Sequence, residues 1–138
     1  MKKILSLVAF LSLLMSCQTS SFAYEDFKDH QISFTQMFVE EKNHYVYFYD
    51  ETCFHCKKIE SEVLSFFLEN TVLFYLVKDV PLDHFHSTYL NSLGAKKSED
   101  VYIPGFPTMI FIESKEVKEY YVGTNEIKNW MNSFNNHR

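Results

Sequence analysis

Two cysteines separated by two residues, Cys53 and Cys56, are the side chains of this sequence best suited to chemistry. A thiolate attacks disulfides, and two thiols at this spacing can form a reversible disulfide. A bridge across two residues closes too short a loop to stabilise the fold much, so the spacing indicates redox chemistry rather than a structural cross-link. We predict that Cys53 reacts with substrate and that Cys56, one helical turn later, resolves the mixed disulfide.

The predicted elements around the pair make this interpretation more specific. A hydrophobic strand is predicted over residues 44–49 and an amphipathic helix over 57–70, so the cysteines lie where the helix begins. The free N–H groups and partial positive charge of a helix N-terminus stabilise a thiolate. A protonated His55 would add positive charge and stabilise the reduced form, and Phe54 offers an apolar surface beside the sulfur. A solvated histidine and an ordinary exposed aromatic ring are the alternatives for these two residues.

The N-terminus predicts export. Two lysines precede an apolar stretch, residues 4–15, that is too short to span a bilayer. We interpret residues 1–16 as a lipoprotein-type signal peptide, because Leu14–Cys17 resembles a lipobox whose cysteine receives a lipid. Cleavage after Ala23, as in an ordinary secretory signal, is the alternative. The protein is therefore expected on the extracytoplasmic side of the cell membrane, held by a lipid on Cys17, or secreted or periplasmic if cleavage follows Ala23.

Both cleavage outcomes leave the same two thiols in the mature domain. Cys17, the third cysteine of the chain, would be either lipidated or removed, so Cys53 and Cys56 remain. Exported domains meet oxidising conditions, in which thiols tend to pair. Residues 17–27 are polar and short of aliphatic side chains, and we interpret them as a tether to the membrane.

The remaining residues, 28–138, are predicted to form one domain. Their apolar periodicity gives helices and strands in the order α-β-α-β-α-β-β-α. The helices are predicted over residues 32–41, 57–70 and 86–93 and from Thr124 onward, and the strands over 44–49, 71–77, 109–113 and 117–122. A parallel crossover followed by an antiparallel hairpin indicates an α/β fold with a mixed central sheet, a C-terminal β-hairpin and helices on both faces.

The composition is that of a globular domain and gives no indication of a nucleic-acid partner. The chain has 138 residues, of which 46% are hydrophobic, and this is enough for one packed core. Its net charge of −5 gives no reason to expect a nucleic acid as partner. We expect no cofactor.

Two separated motifs resemble the thioredoxin superfamily. One is Tyr49-x3-Cys53-Phe54-His55-Cys56-Lys57, and the other is Ile103-Pro104-Gly105-Phe106-Pro107-Thr108 just before a strand. The resemblance extends from about Ile32 to the C-terminus and implies a thioredoxin-like fold. It implies that Pro107 is cis and lies against the cysteines, and that Phe106, Pro107 and Thr108 bind an extended substrate through backbone groups.

The chain also departs from thioredoxin proper. Phe54 and His55 stand where thioredoxin has Gly-Pro, and a His before the second Cys is similar to strongly oxidising periplasmic thiol oxidases. Tyr47 occupies the position of the buried Asp beneath the site of thioredoxin, so that base is missing, and Glu51 or a water is a substitute to consider. Among subgroups, the chain is most similar to the small proteins known as bacteriocin transport accessory proteins.

Three functions follow as hypotheses. The first is an envelope thiol–disulfide oxidoreductase, whose partners would be cysteine-containing exported proteins or peptides and a redox partner that recharges the pair. The second is a metal-binding module, because the two thiolates can hold Cu(I) or part of a zinc site, for which His55, His84 and His86 are the further ligands available. The third is a non-enzymatic accessory domain that holds a transporter or a peptide.

Overall fold

The computed structural model of the protein describes residues 21–135. The predicted signal peptide and its lipidation site, Cys17, lie outside the described residues. Within residues 21–135, every helix is too short or too polar to cross a bilayer.

A four-stranded mixed sheet forms the centre of the fold. Its strands are β1 (His44–Phe48), β2 (Phe74–Val77), β3 (Thr108–Glu113) and β4 (Glu116–Val122), in the spatial order β2-β1-β3-β4. β1 pairs in parallel with β2 and antiparallel with β3, and β3 and β4 form an antiparallel hairpin. Ser114 and Lys115 connect that hairpin with φ values of 51° and 58°, as a two-residue turn matched to the strand twist requires. The predicted α/β, thioredoxin-like fold is confirmed.

The two α-helices pack on one face of the sheet. They are α1 (Phe54–Glu69) and α2 (Gly123–Asn135). The apolar stripe of α1 includes Ile59 and Val63, and it meets Tyr47 of β1 together with Ile127 of α2 in one buried cluster. Alternate residues of a strand point to opposite faces, so Val46 and Phe48 belong to a second cluster on the other side.

Short 3-10 helices, rather than α-helices, cover that second face. Among the described residues they are Phe34–Gln36, Leu82–His84, Tyr89–Ser92 and Ser98–Asp100. The helix predicted over residues 32–41 is wrong, because only Phe34–Gln36 is helical there and the Ile32 N–H bonds to the Leu76 carbonyl at 3.0 Å. Only Phe34 and Met37 of that segment are fully buried, against β1.

The helix predicted over residues 86–93 is also wrong. His86 N–H bonds to the Ile103 carbonyl at 2.9 Å, and Ile103 N–H bonds to the His84 carbonyl at 2.9 Å. These two bonds hold the start of the segment extended, and the helical part is limited to Tyr89–Ser92. Gly94 follows with a φ of 85°.

The folded part of the chain begins earlier than residue 28. Tyr24–His30 forms a 3-10 helix, and Tyr24 and Phe27 are 1% and 7% exposed. Phe27 packs its ring against Phe74 of β2 at 5.8 Å. Residues 24–27, predicted as the end of a tether, therefore belong to the core. The tether was predicted from the lack of aliphatic residues, but the aromatic rings of Tyr24 and Phe27 provide the apolar surface that is buried.

Candidate active site

The cysteine pair lies at the start of α1, at the edge where the parallel strands β1 and β2 end. Asp50 begins the connecting turn, and its carboxylate accepts from the N–H and the hydroxyl of Thr52. These bonds lower the pKa of Asp50. Cys53 N–H bonds to the Asp50 carbonyl at 3.2 Å, and Cys53 is then the N-cap residue of the helix. Capping thus fixes the position of the first cysteine.

The sulfur of Cys53 accepts two hydrogen bonds from Cys56. The Cys56 N–H donates to it at 3.2 Å, and the Cys56 thiol donates to it at a sulfur–sulfur distance of 2.6 Å. Both cysteines are free thiols. The two sulfurs are therefore close enough to form a disulfide when a disulfide substrate or another oxidant takes up two electrons and the two thiol protons leave.

The two thiols have different surroundings. Cys53 is partly exposed, whereas Cys56 is 0% exposed. Burial, together with the hydrogen bond to Cys53, raises the pKa of the Cys56 thiol to about 12. Cys56 is therefore a buried, protonated thiol that lies behind the partly exposed Cys53 sulfur.

The second motif lies directly against the first. The Phe106 carbonyl is 3.8 Å from the Cys53 sulfur, and the Phe106–Pro107 peptide bond is cis. Thr108 begins β3, where its hydroxyl donates to the Gly105 carbonyl at 2.7 Å. The Pro107 carbonyl accepts from Gly123 N–H at 2.8 Å, which joins this loop to the start of α2.

A groove of about 230 Å³ runs beside the pair. Its lining residues are His55, Phe106, Pro107, Val122, Gly123, Thr124 and Asn125. Phe54 lies outside the groove, 74% exposed, with its ring edge-on to the exposed His55 at 5.6 Å. The structure thus brings together the cysteines, His55 and the Phe106–Thr108 segment.

Sequence reasoning missed one of the two tyrosines beneath the pair. Tyr24, which was predicted to be in the tether, donates its hydroxyl to the Cys56 carbonyl at 3.0 Å. The same hydroxyl is 3.1 Å from that of Tyr47, whose pKa is raised by burial. Glu51, the substitute base considered from the sequence, is instead exposed and ion-paired to Lys78 at 2.9 Å. No sequence signal indicated Tyr24, since its contact with Cys56 spans 32 residues.

The histidines of the metal hypothesis have other partners. His84 stacks on Tyr102, and its Nδ1 is 2.7 Å from the Val101 carbonyl. His86 Nδ1 accepts from the Thr88 N–H at 3.1 Å. Between residues 21 and 135, no three His, Cys, Asp or Glu side chains are grouped so that they could hold a metal ion. Within the described residues, His84 and His86 are therefore not gathered with the two thiolates into a site of three or more ligands.

Comparison with known proteins agrees with this architecture. Thioredoxin f2 of Chlamydomonas reinhardtii superposes with a TM-score of 0.55 and 19% identity, over 78% of this chain and 94% of that one. A thioredoxin of Fasciola hepatica gives a TM-score of 0.48 and 19% identity, over 72% of this chain and 84% of that one. No curated protein sequence matches the chain. The thioredoxin family model matches residues 25–134, so the chain belongs to the thioredoxin family.

Proposed function

We propose that this protein is an envelope thiol–disulfide oxidoreductase that exchanges disulfides with exported proteins through Cys53 and Cys56. A thioredoxin domain with two close cysteines supports thiol–disulfide redox chemistry in general. The observation that carries exchange through this pair is the placement of a partly exposed Cys53 sulfur between the Cys56 donors and the Phe106 carbonyl. The signal-like residues 1–16 support the envelope location.

The chemistry proceeds in two exchanges. The Cys53 thiolate attacks one sulfur of a substrate disulfide, that S–S bond breaks, and one substrate thiolate leaves. Cys56 then loses its proton to solvent and attacks the Cys53 sulfur, which releases the second substrate thiolate and forms the Cys53–Cys56 disulfide. The substrate gains two electrons and the cysteine pair loses two. The reverse sequence oxidises a substrate dithiol.

A trapping experiment tests this proposal. Cys56→Ser retains the attacking thiol but lacks the resolving one, so it should accumulate mixed disulfides with exported proteins. These adducts should appear on non-reducing gels and disappear after reduction. Cys53→Ser is the matched control and should form none, and it should also be inactive in insulin reduction and in the oxidative refolding of a reduced protein. Equal adducts in both variants, or full activity of Cys53→Ser, would exclude the proposed mechanism.

The direction of electron flow is set by the reduction potential. A value near about −270 mV indicates a reductase, and one near about −120 mV an oxidase. We propose that His55 raises the potential, because a positive charge beside the thiolate stabilises the reduced form. His55 is exposed and close enough to line the groove, so His55→Gln can be compared with Phe54→Leu, which changes the neighbouring exposed residue without a charge. Only the first variant should lower the potential.

We also propose a lipid anchor on Cys17. The lipobox-like sequence Leu14–Cys17 is its support. Cys17→Ser should remove labelling by a radioactive fatty acid and release the protein from the membrane fraction. Labelling that survives this change would refute the anchor, and a mature N-terminus at Tyr24 would instead establish cleavage after Ala23.

A further inference from the structure

The N-terminal segment contacts the first two turns of α1 through three hydrogen bonds. Phe22 N–H donates to the Ser61 hydroxyl at 3.2 Å. Tyr24 N–H donates to the Glu60 carboxylate at 2.8 Å, and Glu60 is only 8% exposed. The Tyr24 hydroxyl donates to the Cys56 carbonyl at 3.0 Å. The segment is thus bound to the same turns of helix that hold the resolving cysteine.

The hydrogen bonds beneath the site have one possible direction. A carbonyl oxygen only accepts, so the single proton of the Tyr24 hydroxyl is used for Cys56. The Tyr47 hydroxyl, 3.1 Å away, must then donate to the Tyr24 oxygen. Tyr24 is 1% exposed, and its ring stacks on Tyr49 at 3.9 Å, which fixes the hydroxyl in place. The chain of donors ends on the Cys56 peptide.

Cys56 also supports the neighbouring sulfur, through its N–H and its thiol. Both the N–H and the thiol of Cys56 donate to Cys53 in the free dithiol form. A shift of the Cys56 backbone would misalign both donors. The Cys56 thiol can donate only in the dithiol form, so a contact that holds Cys56 where this donor is aligned favours the dithiol.

We propose that Tyr24 is a positioning residue for the redox pair, and that its hydroxyl bond to Cys56 favours the dithiol over the disulfide. The inference rests on the proposed function, since it concerns the redox equilibrium of the same pair. Its consequence is reciprocal. If the bound segment favours the dithiol, the dithiol must favour binding of the segment by the same factor. The segment that contains Phe22 and Tyr24 then responds to the oxidation state of the site.

The test compares two tyrosine variants. Tyr24→Phe removes the hydroxyl and keeps the ring, and Tyr49→Phe is the matched control because its buried hydroxyl contacts Gln31 rather than Cys56. Each protein is equilibrated with oxidised and reduced glutathione, and the fraction of dithiol is measured by alkylation and mass spectrometry. Loss of one hydrogen bond should make Tyr24→Phe about threefold to tenfold easier to oxidise, which is about 14 to 30 mV more negative. Tyr49→Phe should match the unmodified protein.

Equal equilibrium constants for the two variants would overturn the inference about Tyr24. A pair that does not titrate reversibly in the unmodified protein would instead overturn the proposed function. A second measurement needs no variant, so it holds even if Tyr24→Phe fails to fold. The amide hydrogens of Phe22 and Tyr24 should exchange about threefold to tenfold more slowly in the reduced protein than in the oxidised protein. Equal exchange in the two forms would also overturn the inference.

Discussion

Glu60→Ala is expected to destabilise the fold more than the loss of an exposed carboxylate would. Glu60 lies on α1 and is 8% exposed, and it accepts from Tyr24 N–H at 2.8 Å and from Lys57 at 3.3 Å. Removing its side chain leaves the buried Tyr24 N–H without its acceptor, which costs about 1–3 kcal/mol. The Lys57 ammonium is nearly half exposed, so the ion pair adds only about 0–1 kcal/mol. The expected loss in the free energy of unfolding is therefore about 1–4 kcal/mol, with a central value of about 2 kcal/mol.

Two further variants separate the hydrogen bond from the charge. Glu60→Gln keeps an oxygen that can accept from Tyr24, so it should cost only about 1 kcal/mol. Glu62→Ala removes a neighbouring carboxylate that is half exposed and paired with Lys128 at 2.7 Å, and it should cost at most about 0.5 kcal/mol.

Urea unfolding of the reduced proteins, followed by circular dichroism, measures these differences. With a slope of about 1–3 kcal/mol per molar urea, a loss of about 2 kcal/mol should lower the midpoint of Glu60→Ala by about 0.7–2 M. Glu62→Ala should be the most stable of the three variants, Glu60→Gln should be intermediate, and Glu60→Ala should be the least stable. A Glu60→Ala protein as stable as Glu62→Ala would refute the claim that this carboxylate holds the N-terminal segment.

The other predictions concern the cysteines and one glycine. In the reduced protein at pH 8, iodoacetamide should modify Cys53 at least about a hundredfold faster than Cys56, because a thiol with a pKa of about 12 is almost entirely protonated at that pH. Peptide mapping at short reaction times measures which cysteine is labelled first. Equal labelling of the two cysteines would contradict the prediction. The raised pKa of Cys56 means that the folded protein keeps this proton after the unfolded chain has lost it. The free energy of unfolding of the reduced protein should therefore fall as pH rises from about 9 towards 12, with a smaller fall in Cys56→Ser, and parallel urea curves across this range would exclude the effect. Gly123 begins α2 with a φ of 76°, so Gly123→Ala should cost about 1–2 kcal/mol in the same unfolding assay, and a neutral result would mean that the turn relaxes.

The site could be predicted from sequence where its signals are local. The strand before Cys53 and the helix after it each show their own periodicity, and the two-residue spacing of the cysteines places both thiols on the first turn. The helix begins at Phe54 rather than Lys57, so the pair lies closer to its N-terminus than the apolar pattern indicated. The contact of Phe106 with Cys53 spans 53 residues, and only the family resemblance indicated it.

The segments predicted wrongly from the sequence are those whose burial depends on residues far away along the chain. Tyr24 and Phe27 stand among polar residues, so no periodic pattern marks them, and they are buried only because α1 and β2 provide partners far along the chain. Phe34 and Met37 have helical spacing, but they pack on the sheet from a 3-10 turn and the residue after it. A spacing of three residues fits a single turn of either helix type, so the pattern could not separate the two.

The two outer strands of the sheet are partly covered by other segments of the chain. On β2, Leu76 forms a bridge with Gln31, and its carbonyl accepts from Ile32 N–H. On β4, Val117 accepts from Gly94 N–H at 2.8 Å and donates to the Ala95 carbonyl at 2.9 Å. Backbone groups that are already bonded cannot recruit a strand from another molecule. In the proposed function the protein meets partly unfolded substrates, whose extended segments have unpaired backbone groups, and the covered edge strands limit its co-aggregation with them.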